Sequence, residues 1–146
     1  VRSSVAEILA LEQLGLGPER LRAFREGVMR SKLGLLALLD PLRARGERVY
    51  AIGAAARAST LVAHVGLDEA IVSCVLEVPG SRKIGRYMPG TRIPVLDEAQ
   101  LYRDQPEWAL LFSWHLADEL IPKFRGNGYR GGFIIPLPEP RVVPPA

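Results

Sequence analysis

Three groups of residues carry the types that could do chemistry. The first is Gly53, Arg57, Ser59 and Thr60. The second is Lys83, Arg86, Tyr87, Gly90 and Thr91, with Arg92 beside them. The third is Ser113-Trp114-His115. Together they supply what a phosphorylated ligand needs. Gly53 lets the backbone turn or approach a ligand closely. Arg57, Lys83, Arg86 and Arg92 can neutralise phosphate oxygens through charge-assisted hydrogen bonds. Ser59 and Thr60 add hydroxyls. Tyr87 can stack on a base or donate to a phosphate, and Trp114 offers a second flat surface. His115 is the more interesting of the two histidines, although no carboxylate is placed beside it by sequence. The bland counterparts are an ordinary strand–helix unit at Gly53 and a surface loop with solvated charges at Lys83–Thr91.

The elements that must position these groups follow from the hydrophobic pattern. Val49–Ile52 is a short apolar run suited to a strand buried on both faces, and a helix follows it to about Val65. The N–H groups at that helix start form a natural anion site. Ile71–Val78 reads as a second strand. Glu77 near its end sits where dinucleotide-binding folds carry an acid that grips a ribose hydroxyl, but the turn lacks the second and third glycines of that fingerprint, and a solvated acid is the preferred reading. Pro79–Pro94 is a long loop with Pro89-Gly90 as a type II turn. Asp97 caps a short helix through Tyr102. Trp108–Phe112 is a third strand, leading into a helix bent at Pro122. Phe133–Leu137 is the last strand, and 141–146 is an extended tail. The sequence therefore predicts an α/β fold: a three-layer, Rossmann-like, mainly parallel sheet of four or five strands over 47–140.

Two helices are predicted ahead of it, in 1–46. Ser4-Val5-Ala6-Glu7 fits a capping box. Gly17-Pro18 opens a long second helix with Leu21, Phe24, Val28, Leu35, Leu38, Leu39 and Leu42 on one stripe, and Pro41 is expected to kink or end it. Its C-terminal half is expected to pack on the sheet and its N-terminal half to bridge to another domain.

Composition narrows the classes. The 146 residues suit one domain with a real core, and 48% hydrophobic with 24% charged residues excludes a disordered chain. The net charge of +3 is scattered, without a basic stripe interleaved with aromatics, so nucleic acid is not an expected partner. Cys74 is the single cysteine, which excludes an intrachain disulfide and a multi-cysteine zinc site; its apolar neighbours make it a core residue. His64 reads as a structural residue of its helix. The chain shows no signal peptide and no membrane-length apolar run, so no membrane partner and a cytoplasmic location are expected. It begins at Val1, which suggests a piece of something longer.

Four pieces, in order, carry a family resemblance. They are Val49–Ala54 running on to Thr60-Leu61, Lys83–Tyr87 joined to Pro89–Pro94, Ser113–His115, and Gly132–Pro138. These resemble the C-terminal domain of the sugar C-methyltransferases, three-domain S-adenosylmethionine enzymes acting on nucleotide-linked deoxysugars. Where that family often has Ser-Thr-Lys-Gly in the turn, this chain has Ala55-Ala56-Arg57-Ala58, which keeps the positive charge and loses two hydroxyls. Its frequent Trp-Asn is Trp114-His115 here.

The resemblance implies a zinc-binding segment first, a methyl-donor domain in the middle, and this Rossmann-type domain last, helping to hold the nucleotide sugar. It implies that S-adenosylmethionine and the catalytic base belong to the upstream part. No acidic Gly-x-Gly-x-Gly stretch occurs here, so no cofactor is expected in this chain and the isolated chain is expected to be inactive. The partners implied are the upstream domain of the same polypeptide and the nucleotide-sugar substrate. Two other readings stand beside it: a nucleotide- or dinucleotide-binding module of an oxidoreductase, and a structural partner domain that docks through its leading helix.

Overall fold

The computed structural model describes residues 2–146, with the side chains of all but Arg2, Ser3 and Leu14. The chain divides into two units, residues 1–30 and 31–146. The first holds helix α1 (Arg2–Gly15) and the opening of α2 (Pro18–Ala44). Because α1 begins at Arg2, Ser4 lies within its first turn, so the expected capping box does not start the helix. Proline does open α2, where its missing N–H costs no helical bond.

The second unit is built on six strands: β1 (Val49–Ile52), β2 (Cys74–Glu77), β3 (Val95–Asp97), β4 (Trp108–Leu111), β5 (Gly132–Ile135) and β6 (Arg141–Val143). Their order across the sheet is β3-β2-β1-β4-β5-β6. The first five run parallel, and β6 pairs antiparallel with β5. Ala51 lies opposite Val75 on one side and Leu110 on the other. Helices α3 (Ala56–Val65), α4 (Ala99–Asp104) and α5 (Ala117–Gly126) complete the unit, with a short 3-10 turn at Trp114–Leu116.

Alternation along the strands divides the core into two layers. Val49, Ala51, Val75, Leu110, Phe112 and Ile134 pack with Leu35, Leu39 and Leu42 of α2 and with Ala58, Leu61, Val62 and Val65 of α3. Ile52, Cys74, Leu76, Ala109, Leu111, Phe133 and Ile135 pack with Leu101 of α4 and Ala117 and Phe124 of α5. Helices thus cover both faces of a mainly parallel sheet, the three-layer arrangement the apolar runs predict. The C-terminal half of α2 packs on the sheet as expected. Leu21 and Phe24, earlier on its stripe, stay 56% and 70% exposed.

Several expectations are corrected. Six strands replace four or five, since Val95–Asp97 and Arg141–Val143 are strands. The second strand is Cys74–Glu77 rather than Ile71–Val78, because the N–H groups of Ile71 and Val72 both turn back to the Asp68 carbonyl. The strand expected over Phe133–Leu137 is Gly132–Ile135. Pro41 does not end its helix; α2 continues past it to Ala44. Asp97 is not the N-cap of α4: that position is Glu98, with no side-chain cap, while Asp97, ending a strand, accepts the Ala99 N–H on its Oδ1 at 2.8 Å, and α4 runs on to Asp104. No described helix is long and apolar enough to cross a membrane.

Candidate functional site

The sheet order creates a crevice at one place. From β1 the chain steps outward to β2 and β3, then returns to β4 on the opposite side of β1. Connections leaving the C-terminal ends of β1 and β4 therefore diverge, and ligands of open α/β sheets bind where that happens. Gly53 directly follows β1, and Ser113 lies two residues beyond the end of β4.

Gly53 has φ +94, and a Cβ there would lie 2.6 Å from Ser113 Oγ. Only glycine suits both the conformation and the close approach. The Gly53 N–H donates to the Leu76 carbonyl at 2.9 Å, so the ladder to β2 extends one residue beyond β1. The chain then enters α3, whose N-cap Ala55 makes no side-chain cap. The first N–H groups of a helix have no intrahelical acceptor, and here they open at the switch point.

Arg57 lies in that first turn. Its guanidinium stands over the Trp114 ring, 5.9 Å from the centroid, and its Nη1 lies 3.4 Å from His115 Nδ1. A guanidinium can only donate, so a hydrogen bond between the two makes Nδ1 the acceptor and assigns a neutral ring's proton to Nε2. Trp114 is half-buried and packs against both core layers, while Arg57 and His115 are exposed. Beyond the buried Ala58, Ser59 and Thr60 continue α3, Ser59 half-buried and Thr60 exposed.

Lys83 reaches the same turn but is already engaged. Its Nζ donates to the Ala54 carbonyl at 2.7 Å and to Glu77 Oε1 at 3.1 Å. The same Glu77 oxygen accepts the Ala54 N–H at 2.8 Å. The Glu77 side chain is only 12% exposed. The expectation of a solvated acid is therefore corrected: Glu77 is a bonded, largely buried anchor of the turn.

The rest of the second group goes elsewhere. Gly85 N–H donates to Val95 O at 2.9 Å, Val95 N–H to Arg86 O at 2.8 Å, and Met88 N–H to Ile93 O at 2.9 Å, with Tyr87 bridged to Pro94. The loop is thus a hairpin arm outside β3, anchored by buried Met88 and Ile93. Pro89-Gly90 forms the predicted type II turn, with Gly90 at φ +76 and Thr91 N–H bonded to Met88 O at 3.1 Å. Three strand spacings, about 14 Å, separate this arm from β1. Its turn also points away from the strand C-termini. Gly90, Thr91 and Arg92 line a cleft of about 570 Å³ with Val62, Gly66 and Asp68 at the far end of α3. The Thr91 hydroxyl serves the turn, donating to Met88 O and accepting from Ile93 N–H, both at 3.1 Å. Arg86 folds its Nε onto the Arg82 carbonyl at 3.3 Å, and Tyr87 is 64% exposed on the arm. The expected meeting of three complete segments is therefore corrected. Gly53, Arg57, Lys83, Trp114 and His115 converge; Arg86, Tyr87, Gly90 and Thr91 do not.

The sequence reading placed Ser113 and Glu77 near the site but missed their roles: Ser113 supports Gly53, and Glu77 holds Ala54. A glycine at a strand end signals a close neighbour without naming it.

The profile of a family described as the C-methyltransferase C-terminal domain matches residues 1–138. C-methyltransferase NovU of Streptomyces niveus is 34% identical over 98% of this chain. The match covers 34% of that protein, so the chain spans about a third of the length of this relative.

Proposed function

The chain belongs to the C-methyltransferase C-terminal domain family, and from that premise we propose that it is the substrate-side domain of an S-adenosylmethionine-dependent enzyme that methylates carbon on a nucleotide-linked sugar. The observation that carries this reading is the convergence of Gly53, the start of α3, Arg57, Trp114 and His115 at the switch point between β1 and β4.

In this reading the diphosphate lies across the start of α3. Backbone N–H groups there and the Arg57 guanidinium donate to its oxygens. His115 presents its Nε2 proton to a phosphate or sugar oxygen, and Trp114 gives Arg57 a flat, partly desolvated floor that restricts its motion. S-adenosylmethionine supplies the methyl group, and its site belongs to the rest of the polypeptide. What this chain contributes is grip and orientation of the substrate.

The upstream part is also the proposed partner of the leading helices. Val5, Ile8, Leu9 and Leu11 are each more than half exposed, a larger apolar display than a helix facing water alone requires. A dinucleotide-binding role is less well supported, because the acid that would grip a ribose hydroxyl is bonded to Ala54 and Lys83.

The experiment is Arg57→Ala in the full-length polypeptide, with UDP and dTDP binding followed by calorimetry. A charge-assisted hydrogen bond contributes about 1.5–3 kcal/mol, so affinity should fall about tenfold or more. Unchanged affinity for both, with the fold intact, would remove the diphosphate from this crevice.

A further inference from the structure

We infer that Glu77 and Lys83 are a positioning pair that locks the Ala54 peptide groups and thereby aims the start of α3, and that Lys83 is not itself the cation that grips phosphate. This rests on the reading of the crevice as a nucleotide-sugar site.

Ala54 is the middle of the turn between β1 and α3, and both of its backbone polar groups are taken by this pair. Its N–H donates to Glu77 Oε1 at 2.8 Å, and its carbonyl accepts from Lys83 Nζ at 2.7 Å. The pair closes on itself at 3.1 Å. The peptides on either side of Ala54 cannot rotate without breaking one of these bonds. On one side, Gly53 is held by the Leu76 carbonyl and rests on Ser113. On the other, Ala55 leads directly into the turn that carries Arg57. The lock therefore fixes where the N–H groups of α3 and the Arg57 guanidinium are aimed.

The same geometry argues against Lys83 as a ligand. Glu77 is largely buried, and the Lys83 ammonium is its countercharge. A lysine that swung out to a phosphate would strand that carboxylate, and an unpaired buried charge is strongly destabilising. Lys83 and Arg57 are both exposed, but Arg57 is held by no carboxylate among the described residues; its neighbours in the crevice are the Trp114 face and a ring nitrogen.

The test uses Glu77→Gln, Lys83→Met and the double variant in the full-length polypeptide. UDP and dTDP affinity is measured by calorimetry, and hydrogen–deuterium exchange is followed over residues 53–57. Lys83→Met should weaken binding by about tenfold and raise exchange in that segment, because it leaves Glu77 unpaired. Glu77→Gln should also weaken binding, since the charge that holds Lys83 is gone. The double variant should recover most of both properties, because glutamine keeps a carbonyl for the Ala54 N–H and no charge is stranded.

Tighter binding by Glu77→Gln would overturn the inference, since a freed lysine would then be serving as the ligand. So would a double variant that binds as weakly as Lys83→Met with exchange unchanged. If wild type binds neither diphosphate, the crevice reading fails, but exchange still judges the lock. Unchanged protection of 53–57 in both single variants would overturn the pair independently.

Discussion

Gly53→Ala tests the crevice geometry most directly, because two separable penalties meet at one atom. The backbone there has φ +94. Holding an L-residue in that region costs about 1–2 kcal/mol. The new Cβ would also lie 2.6 Å from Ser113 Oγ, closer than real contacts allow. Relieving such overpacking costs about 1–3 kcal/mol. The sum is about 2–5 kcal/mol of lost stability. The next atoms, Ser113 Cβ at 3.7 Å and its N at 3.8 Å, are ordinary contacts. Ser113→Ala therefore removes the clash and leaves the backbone penalty. In urea unfolding followed by circular dichroism, a slope of about 2 kcal/mol/M puts the single variant's midpoint about 1–2.5 M below wild type. The double variant Gly53→Ala/Ser113→Ala should recover to within about 0.5–1 M, on the same slope. A double variant no more stable than Gly53→Ala would refute the steric argument. An unchanged midpoint in the single variant would refute both parts.

Other consequences are independent of that turn. Burial pushes the Cys74 thiol up to about 12, so it should resist Ellman's reagent at pH 8 in the native chain and react fully in denaturant; rapid native labelling would contradict its placement in the core. The Arg48 guanidinium, bonded to Glu107, holds that carboxyl at about 2. A depressed carboxylate stabilises the fold above its unfolded value, and this contribution is lost as pH falls from about 4.3 toward 2. Both side chains are more than 40% exposed, so the contribution is about 1 kcal/mol or less. The gap in urea midpoint between wild type and Glu107→Gln should thus be small at pH 7 and smaller still at pH 2.5, and a gap that widens in acid would be inconsistent with the pair. If the leading helix docks through its apolar side, Ile8→Ser/Leu11→Ser should reduce light scattering by the isolated chain without moving its unfolding midpoint; a lowered midpoint would mean those residues already pack within it.

The parallel core was legible because its strands are buried on both faces. Val49–Ile52, Trp108–Leu111 and Phe133–Ile135 each show as unbroken apolar runs, and the helices between them show a one-sided stripe. The strands that sequence missed lie toward the edges of the sheet and span three residues each. Val95–Asp97 and Arg141–Val143 are too short for any period to register, and both stand among prolines that suggest loop or tail. What makes them strands is a neighbour already in place: β2 for one and β5 for the other. Tertiary context decides such segments, and a local pattern cannot anticipate it.

The same distinction explains the half of the site that sequence placed well and the half it did not. Arg57, Trp114 and His115 follow strands directly, so the parallel order alone carries them to one edge. Tyr87, Gly90 and Thr91 also follow a strand, but at a distance of ten residues or more, and the chain between had room to reverse. It did so because Met88 and Ile93 are apolar and bury themselves beside β3, drawing the arm down the sheet and its polar residues with it. Lys83 escaped that reversal because it precedes it, and its partner Glu77 ends the strand. Proximity to a strand's C-terminal end lets Arg57 and Lys83 reach the crevice, and existing bonds decide which of them is free to meet a ligand once there. By those two criteria Arg57 is the cation that remains available, and Lys83 is the one the fold has already used.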